Sequence, residues 1–355
     1  MDKAAAGAGD GRSAAVPTVA LSSGKPMPRL ALGTASFPLG ETGRRPAVRE
    51  AVLRALDAGY RHLDTAAVYG TERAIGDAVA EAVRAGALAS RDELYITSKL
   101  WIADAHPGHV LPALRKTPQN LQMEYVDLYL IHFPVSMRLP DPEVEGEVPQ
   151  VLVKGNLEAM DIRGVWAEME ECQRQGLAKA IGVSNFTCKK LDHLLSFARI
   201  IPAANQVEVH PYCRQHKLRA FCREKGIQVC AYSPLGAKGA PWANNSVMDC
   251  PLLKQIAHER GKTIAQVCIR WVYEQGDCVI VKSFNEMRMR ENLDIFDWQL
   301  TEEDCLKINT LPESRGTYDF FVHESGPYKT PEEFWDGEIV AGQSNLKAVS
   351  LDPTI

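Results

Sequence analysis

The chain has 355 residues, 45% of them hydrophobic and 24% charged, with a formal net charge of −5. This is ordinary globular composition with enough chain for a large core. Acidic and basic residues are mixed with no long basic tract, and no apolar run is long enough to span a bilayer, so neither a nucleic acid nor a membrane is an expected partner.

Met1–Pro17 is rich in Ala and Gly and carries Asp2 and Asp10. It has neither the apolar core of a signal peptide nor the arginine-rich pattern of a transit peptide. It reads as a disordered extension (1–17) ahead of one folded domain (18–339), with 340–355 as a flexible tail. The nine cysteines are scattered, and several sit inside apolar runs, such as Cys230 in Val229-Cys230-Ala231 and Cys268 in Val267-Cys268-Ile269. No Cys-x-x-Cys pair or Cys/His cluster has ligand spacing, so buried reduced thiols in a cytoplasmic protein are expected, and no metal site.

Short apolar runs alternate with amphipathic stretches. The predicted strands are Leu30–Gly33, Arg61–Asp64, Leu94–Ser98, Val126–His132, Ala178–Val183, Ala204–Val209, Gln228–Tyr232 and Val279–Val281. Each is rich in Val, Ile, Leu or Tyr, as strands buried on both faces are. Between them, Glu72–Ala85 places Ile75, Val79 and Val83 on one helical stripe. Val165–Gln175 and Leu218–Lys225 behave similarly, and Gly59, Gly176 and Gly226 mark helix-to-strand turns. Three stretches break the rhythm: Pro134–Asp161 with Pro140, Pro142 and Pro149, Gly236–Asp249 with Trp242, and the region after Leu311 with Tyr318, Phe320, Phe321, Tyr328, Phe334 and Trp335. Part of the last is expected to fold over one end of the sheet.

This alternation demands a parallel sheet, either closed as a (β/α)8 barrel or open and doubly wound. Strand after strand ends in a polar residue: Asp64, Lys99, His132, Ser184-Asn185, Gln206, Tyr232-Ser233 and Lys282-Ser283. In a barrel these ends converge on one face, whereas an open sheet spreads them along an edge. No Gly-x-Gly-x-x-Gly follows the first strand, so the open-sheet dinucleotide fingerprint is missing. The predicted fold is therefore an α/β, (β/α)8 TIM barrel with long loops and a C-terminal segment over its mouth.

Asp64, Tyr69, Lys99 and His132 then fall together. A phenol has a pKa of about 10; a neighbouring ammonium lowers it, and a carboxylate holds the ammonium in place. The set reads as a device for giving a proton to a carbonyl oxygen, with Tyr69 as general acid and His132 orienting the oxygen.

The chain resembles the aldo-keto reductase superfamily over roughly Val19 to Ile339. The matching stretches are Gly59-Tyr60-Arg61-His62-Leu63-Asp64-Thr65-Ala66, Ser98-Lys99-Leu100-Trp101, Tyr125-Val126-Asp127-Leu128-Tyr129-Leu130-Ile131-His132, Ile181-Gly182-Val183-Ser184-Asn185-Phe186, Ala231-Tyr232-Ser233-Pro234-Leu235-Gly236 and Val281-Lys282-Ser283-Phe284-Asn285 with Arg288 and Glu291-Asn292. Met123–Tyr129 and Gly326-Pro327-Tyr328-Lys329-Thr330 are similar to the plant branch that includes deoxymugineic acid synthases, codeinone reductases and chalcone reductases.

The resemblance implies NADPH-dependent reduction of an aldehyde or ketone by a monomer, with a small-molecule carbonyl as partner. It places Ser184, Asn185 and Gln206 on the nicotinamide amide, with Tyr232 stacked on the ring. Ser233, Pro234, Leu235 and Gly236 fall at the pyrophosphate; Lys282, Ser283, Phe284, Asn285, Arg288, Glu291 and Asn292 surround the adenosine 2′-phosphate; Gly33, Thr34 and Asp64 complete the cofactor set. Arginine grips phosphate in a bidentate way that a ribose hydroxyl does not reward, which favours NADPH over NADH. The implied substrate pocket is Ala35, Ser36, Phe37, Tyr69, Trp101, His132, Phe133 and Trp242, with Phe320 and Phe321. Many family members carry tryptophan where Ala35 and Phe133 stand, so a roomier pocket is expected. Pro118 interrupts Leu111–Leu121, helical in the family; a proline in a helix interior costs roughly 3 kcal/mol, so a kink or a shortened helix is expected. The alternative on the same scaffold is a non-catalytic NADPH-binding regulatory subunit; a barrel isomerase or lyase leaves Lys282 and Arg288 unexplained.

Overall fold

The computed structural model describes residues 15–36, 45–139, 152–237, 245–317 and 319–338. Phe37, Trp242, Tyr318, most of the predicted N-terminal extension, the middle of the 134–161 loop and the predicted 340–355 tail lie outside the described residues.

Eight parallel strands close into a barrel: β1 Leu30–Gly33, β2 His62–Asp64, β3 Tyr95–Leu100, β4 Val126–Ile131, β5 Ala178–Ser184, β6 Ala204–Glu208, β7 Gln228–Tyr232 and β8 Cys278–Val281. Each pairs with the next, and β8 returns to β1 through Ile280 opposite Ala31. Every predicted strand overlaps one of these, with ends moved by no more than a residue or two. Pleating alternates side chains between the two faces. Inward go Ala31, Leu128, Leu130, Ala180, Ala204, Cys230, Cys278 and Ile280, which form one buried cluster. Outward go Leu32, Leu63, Ile96, Ile131, Val183, Val207, Val229 and Val279, which pack on the helices. Gly182 admits close approach inside the barrel, because a Cβ there would meet the Ala204 carbonyl oxygen of β6 and the Leu130 side chain of β4.

The helices are α1 Arg45–Ala58, α2 Glu72–Arg84, α3 Val110–Leu121, α4 Ile162–Arg174, α5 Cys188–Leu195, α6 His216–Glu224, α7 Ser246–Asp249, α8 Pro251–Arg260, α9 Ile264–Glu274, α10 Glu286–Leu293, α11 Glu302–Asn309 and α12 Pro331–Phe334. In α2 the predicted stripe faces inward, with Ile75 and Val79 buried and Val83 packed against the core. Pro118 does not shorten α3. The helix runs on to Leu121 and stops at Gln122 in the left-handed conformation, where the Gln122 and Met123 amides donate to the Gln119 and Pro118 carbonyls. Pro118 stands in the last turn, where it forfeits the bond to the Leu114 carbonyl but leaves only three helical residues beyond it.

A ribbon of Thr18–Val19 paired with Met27–Pro28 closes the N-terminal end of the barrel, and Met27, Val19 and Leu21 pack on the interior cluster. At the other end a ribbon of Ser136–Met137 with Leu157–Glu158 stands beside the mouth. The C-terminal segment folds back over it. Phe321, Phe334 and Trp335 share a buried cluster with Trp101, Ile102, Val135, Met137 and Leu157. Asp336 anchors that segment by accepting from Lys190 Nζ and Thr187 Oγ1, both at 2.6 Å. All nine cysteines are unpaired, and all but Cys305 are buried. Among the described residues no helix is long and apolar enough to cross a membrane, and no group of three or more His, Cys, Asp or Glu is placed to hold a metal ion.

Candidate active site

The parity that buries the barrel interior brings Gly33, Asp64, Lys99, His132, Ser184 and Gln206 to the same inner side at the C-terminal strand ends. Asp64 ends β2. A 3-10 turn over Ala67–Tyr69, capped by left-handed Gly70 at φ 67°, follows it and sets Tyr69 at the mouth. His132 directly follows β4, its amide donating to the Leu100 carbonyl at 3.1 Å.

Lys99 is fully buried and donates to Asp64 Oδ1 at 2.6 Å and to the Thr65 carbonyl at 2.9 Å. Gln206 Nε2 donates to the other Asp64 oxygen at 2.8 Å. The Tyr69 and His132 rings meet edge-on at 5.7 Å, and Lys99 Nζ lies 5.2 Å from the Tyr69 ring centroid. The predicted set of four is thus one cluster.

Its electrostatics differ from the sequence expectation in one respect. Lys99 was expected to lower the Tyr69 pKa; instead burial, then the charge of Asp64, push that phenol up from its usual value. Desolvation is the larger cause, and Lys99, bonded directly to Asp64 at 2.6 Å, does not reverse it. Burial also draws the Lys99 ammonium down, against the pull of Asp64. Burial, and then Lys99, hold His132 well below its usual range, so its imidazole is neutral.

A cavity of about 620 Å³ runs from this cluster across the mouth. Around the cluster it is lined by Ala35, Asp64, Tyr69, Trp101, His132, Phe133 and Phe320; next in chain order comes a middle section of Ser184, Asn185, Gln206, Tyr232, Ser233, Pro234 and Leu235; then come Lys282, Ser283, Phe284, Arg288 and Asn292, with Gly33 of β1 beside Lys282. Lys99 stands behind the wall. Of the remaining predicted residues, Thr34, Ser36, Gly236, Asn285, Glu291 and Phe321 do not line it, Phe321 being buried in the cluster with Trp101 and Phe334. Thr34 instead ties β1 to β2, its amide and hydroxyl both donating to the Asp64 carbonyl at 3.0 Å. Asn285 caps α10 by accepting from the Arg288 amide at 3.0 Å. Glu291 accepts from the Thr263 hydroxyl at the start of α9.

In the middle section Ser184 Oγ donates to the Gln206 carbonyl at 2.8 Å, and Asn185 Nδ2 donates to the His132 carbonyl at 3.0 Å and to Ser184 Oγ at 3.1 Å. The Tyr232 hydroxyl donates to Asn185 Oδ1 at 2.8 Å. A chain of hydrogen bonds therefore runs around the mouth from Lys99 through Asp64, Gln206, Ser184 and Asn185 to Tyr232. Asn185 holds φ 63° and Ser233 φ 53°, conformations that cost L-residues energy and cluster where backbone is set for function. Past β7, Ser233, Gly236 and Ala237 all have positive φ, and the turn is closed by the Gly236 amide donating to the Ser233 carbonyl at 3.0 Å. Of the residues that line the cavity, Ala237, Met248, Ala265, Ile280, Val281 and Thr317 escaped the sequence reading, as did Glu208, which holds Thr317 from behind. Glu208 carried a usable signal, since it follows Gln206 by two residues and so shares its inward parity; Thr317 lies in a stretch with no periodicity.

A family model described as "Aldo/keto reductase family" matches residues 29–313. The chain is 59% identical over 315 residues to deoxymugineic acid synthase 1-D of Triticum aestivum, covering 88% of this chain and 97% of that protein. It is 52% identical over 330 residues to a 7-acetyl-epi-neemfruitin B aldo-keto reductase of Melia azedarach, covering 92% of this chain and 99% of that one. Among solved structures, a Bombyx mori aldo-keto reductase in complex with NADP superposes with a TM-score of 0.75 at 36% identity, covering 85% of this chain and 95% of that one.

Proposed function

The chain belongs to the aldo/keto reductase family, and we propose that it reduces an aldehyde or ketone to an alcohol with NADPH, Tyr69 giving the proton. The observation that carries this reading is one cavity lined both by Tyr69 and His132 and by the cations Lys282 and Arg288.

The residues fit such a cofactor. Asn and Gln suit a carboxamide because each offers both donor and acceptor, and Asn185 and Gln206 line the middle of the cavity beside Tyr232. The positive-φ turn at Ser233–Ala237 suits a pyrophosphate, and Arg288 suits a 2′-phosphate. When bound, NADPH supplies the hydride. Tyr69 stays protonated, because burial and Asp64 oppose the phenolate; it gives up its proton when the substrate oxygen becomes alkoxide-like, a stronger base than phenolate. His132 Nδ1 is buried and finds no hydrogen-bond partner among the described residues. A neutral ring there is better protonated at Nε2, leaving that N–H to orient the substrate oxygen. Asp64 and Lys99 fix the floor beneath both.

The substrate we infer is a ketone or aldehyde of plant specialised metabolism, a siderophore keto-precursor foremost, on the strength of the 59% identity to the wheat synthase. Ala35, with Trp101, Phe133 and Phe320 as aromatic walls, leaves width for a carbonyl bulkier than a short aldehyde. The test is NADPH consumption against a panel of aldehydes and ketones with Tyr69→Phe alongside. Loss of a positioned general acid is expected to lower turnover roughly 10²–10⁴-fold. Absence of turnover with NADPH still bound tightly would move the reading to the regulatory-subunit alternative.

A further inference from the structure

Glu208, the last residue of β6, is 1% exposed and accepts four hydrogen bonds. Oε1 takes His210 Nε2 at 3.0 Å and the Gly316 amide at 2.8 Å. Oε2 takes the Thr317 amide at 3.0 Å and the Thr317 hydroxyl at 2.8 Å. His210 Nδ1 accepts from the Tyr212 amide, so Nε2 carries the ring proton and is the donor. Burial alone would push the Glu208 carboxyl up, but His210, then the charge of Arg315 and the Thr317 amide bond, outweigh it and bring it down to about 2. Glu208 is therefore ionised at neutral pH.

An ionised carboxylate only accepts, so the Thr317 hydroxyl proton is committed to Glu208. Thr317 Oγ1 then faces the Tyr232 hydroxyl, 3.2 Å away, as an acceptor. Asn185 presents its oxygen to the same hydroxyl at 2.8 Å, in an orientation fixed by its Nδ2 bond to the His132 carbonyl. One phenol proton thus sits between two acceptors, each anchored elsewhere. Apolar packing would hold the 316–317 turn without the desolvation of a buried charge, and Thr317 also lines the cavity.

We propose that Glu208 is a positioning residue for the nicotinamide seat: by locking Thr317 it presets the Tyr232 ring and the Asn185 amide before the cofactor arrives. This rests on the reading of the cavity as an NADPH site.

The experiment is a fluorescence titration of NADPH binding to the full chain and to Glu208→Gln, Thr317→Val, Thr317→Ser, Tyr232→Phe and Thr317→Val/Tyr232→Phe, each checked for a cooperative melt. A hydrogen bond to a charged group is worth about 1.5–3 kcal/mol, so the Kd for NADPH is expected to rise roughly tenfold or more in Glu208→Gln and Thr317→Val. Thr317→Ser should remain near the parent. Thr317→Val should add nothing to Tyr232→Phe, because the hydroxyl through which it acts is gone. If Glu208→Gln does not fold, the Thr317 series carries the test. Additive effects of Thr317→Val and Tyr232→Phe, or an unchanged Kd in Thr317→Val, overturn the proposal. The titration needs no turnover, so a parent chain that binds NADPH but reduces no carbonyl refutes the reductase reading and leaves Glu208 under test; a parent that binds no NADPH overturns both.

Discussion

Lys99→Met removes the ammonium but keeps much of the side-chain volume. Asp64, 3% exposed, loses a donor at 2.6 Å and retains Gln206 Nε2 at 2.8 Å; the Thr65 carbonyl loses its Lys99 donor. Breaking a buried ion pair by deleting one partner costs about 3–5 kcal/mol, and the surviving Gln206 bond puts the expected value near the lower end, about 3 kcal/mol. At about 2–4 °C per kcal/mol the melting temperature should fall by roughly 6–12 °C. The companion Asp64→Asn/Lys99→Met removes the stranded charge while keeping a polar partner for Gln206, and should recover about half of the loss, a coupling the double-mutant cycle reads directly. The assay is thermal unfolding followed by circular dichroism at neutral pH without cofactor. If Lys99→Met melts within a degree of the parent, or the double variant melts below the single one, the pair is not what holds this end of the barrel together.

Arg288→Ala should raise the Michaelis constant for NADPH roughly 10–100-fold, the worth of a charged hydrogen bond, and that for NADH far less; equal effects on both would remove Arg288 from the 2′-phosphate. Burial and Lys99 hold His132 below its usual range, so its protonated form vanishes as pH rises well before 6.5, and turnover should be flat in pH from 6 to 7; an inflection near 6.5 that disappears in His132→Gln would contradict this. Pro118→Ala restores an N–H that reaches the Leu114 carbonyl in the last turn of α3, and the bond regained should exceed the unfolded-state entropy released, for a net gain of about 1 kcal/mol. A lower melting temperature for Pro118→Ala would refute that.

The barrel was legible because its strands are buried on both faces and therefore read as compact apolar runs, several of them preceded by a helix that stops at a residue such as Gly59, Gly176 or Gly226. The inner polar residues were legible for the same reason, since each ends such a run. Three things were not. The direction of the Tyr69 shift depends first on desolvation and then on the charge of Asp64, which are properties of the assembled site rather than of residue type. Asn285 and Glu291 sit among residues that do line the cavity, but helical geometry turns Asn285 to capping α10 and Glu291 toward Thr263. Thr317 gains its place only through Glu208, more than a hundred residues earlier in the chain.

The ribbon packed on the interior cluster closes the N-terminal end of the barrel, so the cavity of the described residues lies at the other end. Asp64, Gln206 and Tyr232 stand on the barrel strands themselves, whereas Trp101 and Phe133 follow strand ends and Phe320 belongs to the C-terminal segment folded over the mouth. A group seated against the strand ends would then be covered by one that enters later among those aromatic residues, and would be held while the later arrival stays. On the proposed reading this imposes a queue: the dinucleotide enters first and leaves last, the carbonyl compound and its alcohol exchanging in between. Product-inhibition patterns would carry that ordering as a signature, set by the shape of the vessel and independent of the chemistry inside it.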